Sequence, residues 1–144
     1  MGGPVRLREI ELRRVELPLL RPFEAAHSSE RKRDLLLVRV RTDTGDGWGE
    51  CGALAAPTYT SEYVDGAEAV VRDHLAPRLL AAGSLTAEGV AGLLAPIKGH
   101  RMAKATLETA ILDAQLRREG RSLAAWLGAT ADRVPCGVAV GIAP

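Results

Sequence analysis

The sequence predicts an α+β fold in which a three-stranded antiparallel sheet is followed by a helical bundle. Three observations predict it. The first third carries period-two apolar runs joined by a Gly/Asp turn, the middle carries apolar stripes at helical spacing, and the two patterns are not interleaved.

The first strand is expected from Arg6 to Leu19, where Leu7, Ile10, Leu12, Val15, Leu17 and Leu19 are apolar. Alternation slips between Leu12 and Val15, which predicts a bulge there, and Pro18 and Pro22 close the strand. Glu24 to Lys32 is polar and reads as a loop. Asp34-Leu-Leu-Leu-Val-Arg-Val-Arg41 is a buried strand whose end is half-exposed. Asp43-Thr-Gly-Asp-Gly47 is a hairpin turn, and Trp48 to Cys51 form its second arm.

The helices follow. Thr60 or Ser61 can cap a helix running to about Ala82, with Ala67, Val70, Val71, Leu75 and Leu79 inward, Asp65, Glu68 and Asp73 toward solvent, and His74 partly buried. Thr86 caps a shorter helix with Val90, Leu93 and Leu94, which Pro96 ends. Gly99 precedes the strongest helix, about His100 to Arg118, whose stripe of Met102, Ala103, Leu107, Ala110, Ile111, Ala114 and Leu116 is rich in Ala and fits close packing against more than one neighbour. Gly120 ends it, and Ser122 caps one or two further turns, Leu123 to Leu127, stopped by Gly128. The apolar run Val134 to Ile142 has two readings. It is either a fourth strand of the small sheet or the opening strand of an α/β domain.

The 144 residues have room for one ordinary domain with a real core. A formal net charge of +1 excludes a disordered acidic tail and a basic nucleic-acid arm. Aromatics make up 3%, so the core rests on Leu, Val, Ile and Ala. The first residues contain no apolar signal core, and no stretch reaches the roughly 18 apolar residues of a membrane span, so the expected location is cytoplasmic. Gly2 does not make a myristoylation site, because Arg6 stands where the motif wants Ser or Thr. Cys51 and Cys136 are expected to be reduced and buried.

No catalytic constellation is visible. His27, His74 and His100 fall in no metal-ligand or nucleophile motif. Thr44-Gly-Asp-Gly-Trp-Gly-Glu50 is glycine-rich, but no Lys-Ser/Thr and no helix follow it, so turn chemistry explains it. Glu62, Asp65 and Glu68 fit one exposed helix face rather than an acid–base pair. Lys98-Gly-His-Arg-Met-Ala-Lys104 could receive an anion at a helix start, or be a solvated helix start with Lys104 and Glu108 as an i,i+4 pair.

Two segments add more. Ala105-Thr-Leu-Glu-Thr-Ala-Ile-Leu-Asp113, followed by Gly120, Ser122-Leu123 and Leu127-Gly128, resembles the helix that precedes the barrel in the enolase superfamily. Gly47-Trp-Gly-Glu-Cys51, Ser61-Glu-Tyr63, Asp65-Gly-Ala-Glu68, Lys98 to Lys104 and Val134-Pro-Cys-Gly-Val138 resemble the o-succinylbenzoate synthase / N-acylamino acid racemase family. The resemblance spans nearly the whole chain, and it is the combination that is specific.

The resemblance implies an enolase-like N-terminal capping domain over residues 1–130, with 131–144 as linker and first strand of a (β/α) barrel. It implies substrate-binding roles for Phe23, Leu54 and Tyr59 in two loops over a barrel mouth, against the plainer reading that these side chains anchor loops to the domain's own core. The implied partner is a small carboxylate substrate shared with the barrel, in an enzyme that is a homo-oligomer; no nucleic acid or membrane partner is expected. The implied cofactor is Mg²⁺ in the parent enzyme, with none bound by this chain and no catalytic residue here. The Lys-x-Lys bases and metal carboxylates of the family have no counterpart in residues 1–144, so the chain alone is expected to be inactive. Ala139 stands where relatives often carry Ser, which leaves fine substrate preference open. The alternatives are another superfamily member, such as a muconate-type cycloisomerase or dipeptide epimerase, and a standalone binding module.

Overall fold

A computed structural model describes residues 3–25 and 28–138. The elements run β1 (Val5–Ala25), β2 (Ser28–Thr42), β3 (Gly45–Cys51), α1 (Val64–Val70), a π turn (Val71–Leu75), α2 (Ala76–Ala82), β4 (Ser84–Leu85), α3 (Ala87–Leu94), α4 (Arg101–Glu119) and α5 (Leu123–Leu127). The α+β class stands. The sheet has four antiparallel strands in the order β3-β2-β1-β4. The additional strand, β4, pairs only with Val5 and Arg6 and is too short to show alternation in the sequence.

The core lies between one sheet face and the helices. Leu36, Val38 and Val40 of β2 are buried there, facing Val64, Val71, Leu75 and Leu79 from the helical arm and Leu107 and Ile111 from α4. On β1 the inward set is Val5 and Leu7 and then, after a register shift between Leu7 and Glu9, Ile10 and Leu12. The bulge therefore sits at Arg8, and pairing runs unbroken from Leu12↔Val38 to Val15↔Leu35 where the sequence pattern slips. The slip has another cause. Arg14 occupies the next inward position, and Val15 and Leu17 fall on the opposite face.

Arg14 is tolerated there because carboxylates surround it. Its Nε donates to Asp34 Oδ1 at 3.0 Å, and its Nη1 donates to Asp65 Oδ1 at 2.6 Å and Glu68 Oε2 at 3.1 Å. Asp65 and Glu68 thus join helix α1 to the sheet rather than simply facing solvent. His74 is exposed, not partly buried, since it lies on the π turn away from the core.

Strand β1 does not stop at Pro18 and Pro22. It continues to Ala25, paired with Ser28–Lys32, so the expected polar loop is the far end of a two-stranded ribbon. Both prolines survive because they flank an irregularity in which Leu19–Pro22 are set against Arg31 alone, where few ladder donors are needed.

The expected single helix from Thr60 or Ser61 begins instead after Tyr63, which makes no side-chain cap bond. Its middle is a π turn in which Ala76 N–H reaches back to the Val71 carbonyl. Pro77 explains the change, since it has no N–H for the Asp73 carbonyl and the ladder shifts by one residue ahead of it. Lys104 forms no pair with Glu108 but donates to the Ile97 carbonyl.

Helix α4 lies against β3 with its backbone. A Cβ on Gly47 would overlap the Ala110 carbonyl oxygen, and one on Gly49 would overlap that of Thr106. Trp48 N–H donates to Asp113 Oδ2 at 2.9 Å, so α4 also satisfies the free edge of β3. Cys51 is buried, as expected. Cys136 is not, because residues 133–138 carry no regular structure and are exposed. The remainder of the expected final strand, residues 139–142, lies outside the described residues.

Two outcomes follow. Gly49→Ala should cost about 3 kcal/mol or more in chemical denaturation, whereas Gly52→Ala, with open space around it, should stay within about 0.5 kcal/mol. The second concerns acid. Hydrogen bonding from Arg14 holds the Asp34 carboxyl below its ordinary value, against a smaller upward push from burial. The unfolded chain takes up this proton near pH 3.9, before the folded chain does. Asp34 therefore contributes stability above about pH 4 that is lost as pH falls through its folded value, and Asp34→Asn should flatten that part of a stability–pH profile.

Candidate functional site

The site is built where β2 outruns β3. Strand β3 ends at Cys51, paired with Leu36, while β2 extends back to Ser28. Beyond Leu36, β2 has no strand on that side among the described residues, and the chain after β3 turns out to wall the gap. The result is an open cleft of about 590 Å³. Leu17, Lys32, Arg33 and Leu35 line it from the ribbon side, and Cys51 to Ala56 with Thr58 line it from the other.

The second wall is a closed loop. Leu54 and Tyr63 form an isolated parallel bridge, and Val64 N–H donates to the Leu54 carbonyl at 2.9 Å, so residues 55–62 leave and return at one point. Glu62 anchors the loop's far end. Its carboxylate accepts from the N–H groups of Met102 at 3.0 Å and Ala103 at 3.2 Å, the first turn of α4. Glu62 is thus the anion at this helix start, with Gly99 and His100 both in the left-handed region (φ 67 and 53) to bring the chain round. The Lys98–Lys104 segment, read as a possible anion receiver, already holds one from its own chain.

Of the residues singled out in the sequence, Leu54 lines the cleft. Phe23 lies on the ribbon rather than in a loop, 40% exposed, with the Arg33 guanidinium 5.9 Å from its ring centroid. Tyr59 stands at the tip of the closed loop, 87% exposed. Phe23 and Tyr59 sit on the two segments that flank the cleft, and of the three Leu54 alone lines it. Leu20 escaped the sequence reading. It is fully exposed in the β1 irregularity, and its only signal was its place between Pro18 and Pro22. His27 lies outside the described residues.

The cleft is apolar on its floor and charged at its rim. Its cations are matched, Arg33 with Glu30 at 2.7 Å and Lys32 with Glu16. Such a surface can enclose the apolar part of a ligand and exclude water, but it contains no nucleophile–base pair. No group of three His, Cys, Asp or Glu side chains among the described residues could hold a metal ion. Asp34, Asp65 and Glu68 converge, but on Arg14, so this cluster is already neutralised and does not fit the divalent cation implied for the family.

A family model described as the mandelate racemase / muconate lactonizing enzyme N-terminal domain matches residues 8–128. The chain belongs to this family. Solved relatives place the mandelate racemase / muconate lactonizing enzyme N-terminal domain in the enolase superfamily. A protein from Listeria innocua, described as a member of that superfamily, superposes with TM-score 0.81 at 34% identity over 88% of this chain and 34% of its own. One from Enterococcus faecalis superposes with TM-score 0.86 at 31% identity over 98% of this chain and 38% of its own. Among curated proteins, an N-succinylamino acid racemase from an Amycolatopsis species is 55% identical over 96% of the chain. The o-succinylbenzoate synthase of Bacillus subtilis is 36% identical over 97% of it. The chain spans 38% of the length of each of these two. No helix among the described residues is long and apolar enough to cross a membrane.

Because Glu62 ties the closed loop to α4, Glu62→Ala should lower stability by about 1–2 kcal/mol. It should also speed hydrogen exchange across residues 53–63 more than across β2, which mass spectrometry can read.

Proposed function

We propose that this domain caps the active site of an o-succinylbenzoate synthase / N-acylamino acid racemase-like enzyme and sets its substrate preference. In this reading residues 1–130 are the cap, and 131–144 are the linker and first strand of a (β/α) barrel. The observation that carries it is the open, apolar-floored cleft that Leu54 lines, between the β1–β2 ribbon and the closed loop after β3; Leu20 and Phe23 on the ribbon and Tyr59 on the loop are exposed beside it. Exposed Leu123, Leu127, Val134 and Val138 support the same reading, since a barrel packed beneath α5 and the chain after it would cover them.

The chemistry attributed to the whole enzyme is abstraction of the proton α to a carboxylate, with Mg²⁺ stabilising the resulting enediolate. The acid–base groups for that step belong to residues outside these 144. This chain's own share is to close over the substrate, grip its apolar or acyl portion through Phe23, Leu54 and Tyr59, and keep water out. The expected location remains cytoplasmic. A chloromuconate cycloisomerase from Cupriavidus pinatubonensis, 30% identical over 86% of the chain, favours a second reading in which the same cap serves a cycloisomerase.

Activity decides between them. Residues 1–138 joined to the barrel of the Amycolatopsis racemase should racemise N-succinylamino acids, while the chain alone should show no Mg²⁺-dependent turnover. Leu54→Ala and Phe23→Ala in the chimera should change kcat/KM for N-succinyl relative to N-acetyl substrates about tenfold. Turnover by the chain alone, or an unchanged ratio in both variants, would overturn the proposal, and cycloisomerase activity in the chimera would select the second reading.

A further inference from the structure

Both walls of the cleft are rooted in its floor, where Leu36 of β2 pairs with Cys51 of β3. From there β2 runs back along the ribbon, and the chain after Cys51 runs out to Leu54 and the closed loop. Above the floor no hydrogen bond or ion pair joins residues 17–33 to residues 52–63 among the described residues. A wall attached along one line can swing about it. A second attachment off that line fixes its angle.

Arg14 supplies the second attachment. It stands opposite Leu36 in the β1–β2 ladder, behind the floor, with all three guanidinium nitrogens engaged. Nε and Nη2 take the two oxygens of Asp34, the first at 3.0 Å, and Nη1 donates to Asp65 Oδ1 at 2.6 Å and Glu68 Oε2 at 3.1 Å. Asp34 itself lines the cleft, between Arg33 and Leu35. Asp65 directly follows Val64, whose N–H donates to the Leu54 carbonyl at 2.9 Å. The links close a ring that runs from Leu54 through Val64, Asp65, Arg14 and Asp34 and returns through Leu36 and Cys51.

The carboxylates come from both sides of this ring, Asp34 from the sheet and Asp65 and Glu68 from α1. Without a cation between them, like charges would face one another across the root of the cleft. Among the described residues the one other cation within 4 Å of them is Arg72, at 3.6 Å from Glu68, and it is more than half exposed and also held by Asp73. A forked guanidinium bonds carboxylates lying in two directions at once, which suits Arg rather than Lys to this place. The same bonds raise the Arg14 pKa and hold the Asp34 carboxyl below its ordinary value, so this pair stays ionised at neutral pH.

We propose that Arg14 is a positioning residue of the cleft, a bracket that fixes the angle between the ribbon and the closed loop and so the width open to a ligand's apolar or acyl portion. That last role rests on the reading of the domain as a substrate cap. Arg14 touches no ligand; it acts through Asp34 on one wall and through Asp65, Val64 and Leu54 on the other. Loosening the bracket should therefore cost binding more than chemistry, whose groups in that reading lie outside these 144 residues.

Two measurements test it. Hydrogen exchange of the chain, read by mass spectrometry, reports the bracket without reference to any activity. Arg14→Met keeps an apolar stem and removes the fork. It should speed exchange at least about fivefold both in residues 28–35 and in residues 53–64, and less than about twofold in α4. Arg39→Met removes an arginine paired with Asp46 and Glu11 on the outer sheet face and should leave both walls unchanged. If Arg14→Met does not fold, Asp65→Asn cuts the bracket at a side chain that is 71% exposed and should speed both walls about threefold. Unchanged walls, loosening of one wall alone, or equal loosening of α4 overturns the bracket. The second measurement uses the chimera with the Amycolatopsis barrel. Arg14→Met should raise KM for N-succinylamino acids about tenfold and lower kcat less than about threefold, and Arg39→Met should do neither. A fall in kcat at unchanged KM, or no change in either, overturns the role in ligand selection. A wild-type chimera without activity defeats the cap reading instead, and exchange alone then decides the bracket.

Discussion

The backbone of helix α4 rests directly on strand β3, and the rest of the domain is arranged around that contact. Only a residue without a Cβ permits it, and β3 supplies Gly47 and Gly49 at successive inward positions, where they meet the Ala110 and Thr106 carbonyls. The helix answers with Ala and Thr where bulk would separate the two. Asp113 then takes the Trp48 N–H, and Thr106 Oγ1 reaches the Glu50 carbonyl at 3.3 Å. The segments that carry the family resemblance, Gly47 to Cys51 and Ala105 to Asp113, are therefore the two sides of one interface. With α4 placed, Leu107 and Ile111 meet Leu36, Val38 and Val40, and the core closes.

Around this contact the domain uses polar side chains from distant parts of the chain to finish its helix ends. Gln115 Oε1 accepts from Ala87 N–H at 2.6 Å and so caps α3 from within α4, while its amide reaches the Gly3 carbonyl at 3.3 Å. Glu62 caps α4 from the loop beside the cleft. Arg118 holds the carbonyls of Gly3 and Pro4. The Gln115 and Glu62 bonds satisfy N–H groups at helix starts that have no partner within their own helix, and the Arg118 bonds tie the exposed chain before β1 to α4. Positioning of the cleft wall is thereby coupled to the helix that rests on β3. On the outer sheet face Trp48 lies between Arg13 and Arg39, 5.4 and 5.5 Å from its ring centroid, which shields an aromatic that has no core to enter.

Sequence reasoning found the elements and missed their terms of contact. The hairpin at Asp43, the caps at Ser122, Gly120 and Gly128 and the burial of Leu36, Val38 and Val40 were legible because each rests on residues adjacent in the chain or on a simple period. The bulge was misplaced because an inward Arg14 breaks the apolar alternation as a bulge does, and only its remote carboxylates tell the two apart. The ribbon was missed because Pro18, Pro22 and a run of polar residues argue locally against a strand. Of the candidate site, Leu54, Phe23 and Tyr59 were named through the family resemblance, and of the three Leu54 alone lines the cleft. Leu20 was not named, because it sits in line with an apolar run.

By itself the sequence determined the α+β class, the order of strands before helices, the two glycines of β3 and the small, Ala-rich face of α4. All of these follow from local stereochemistry and periodicity, which need no knowledge of what lies across the core. Only the tertiary structure decided that those glycines and that face meet. It also decided that Glu62 and Gln115 are caps, that Arg14 is an inward residue with three carboxylates, and that β2 outruns β3 to open the cleft. These are pairings between residues far apart in the chain, and their free energies exist only once packing has brought the partners within a few ångströms.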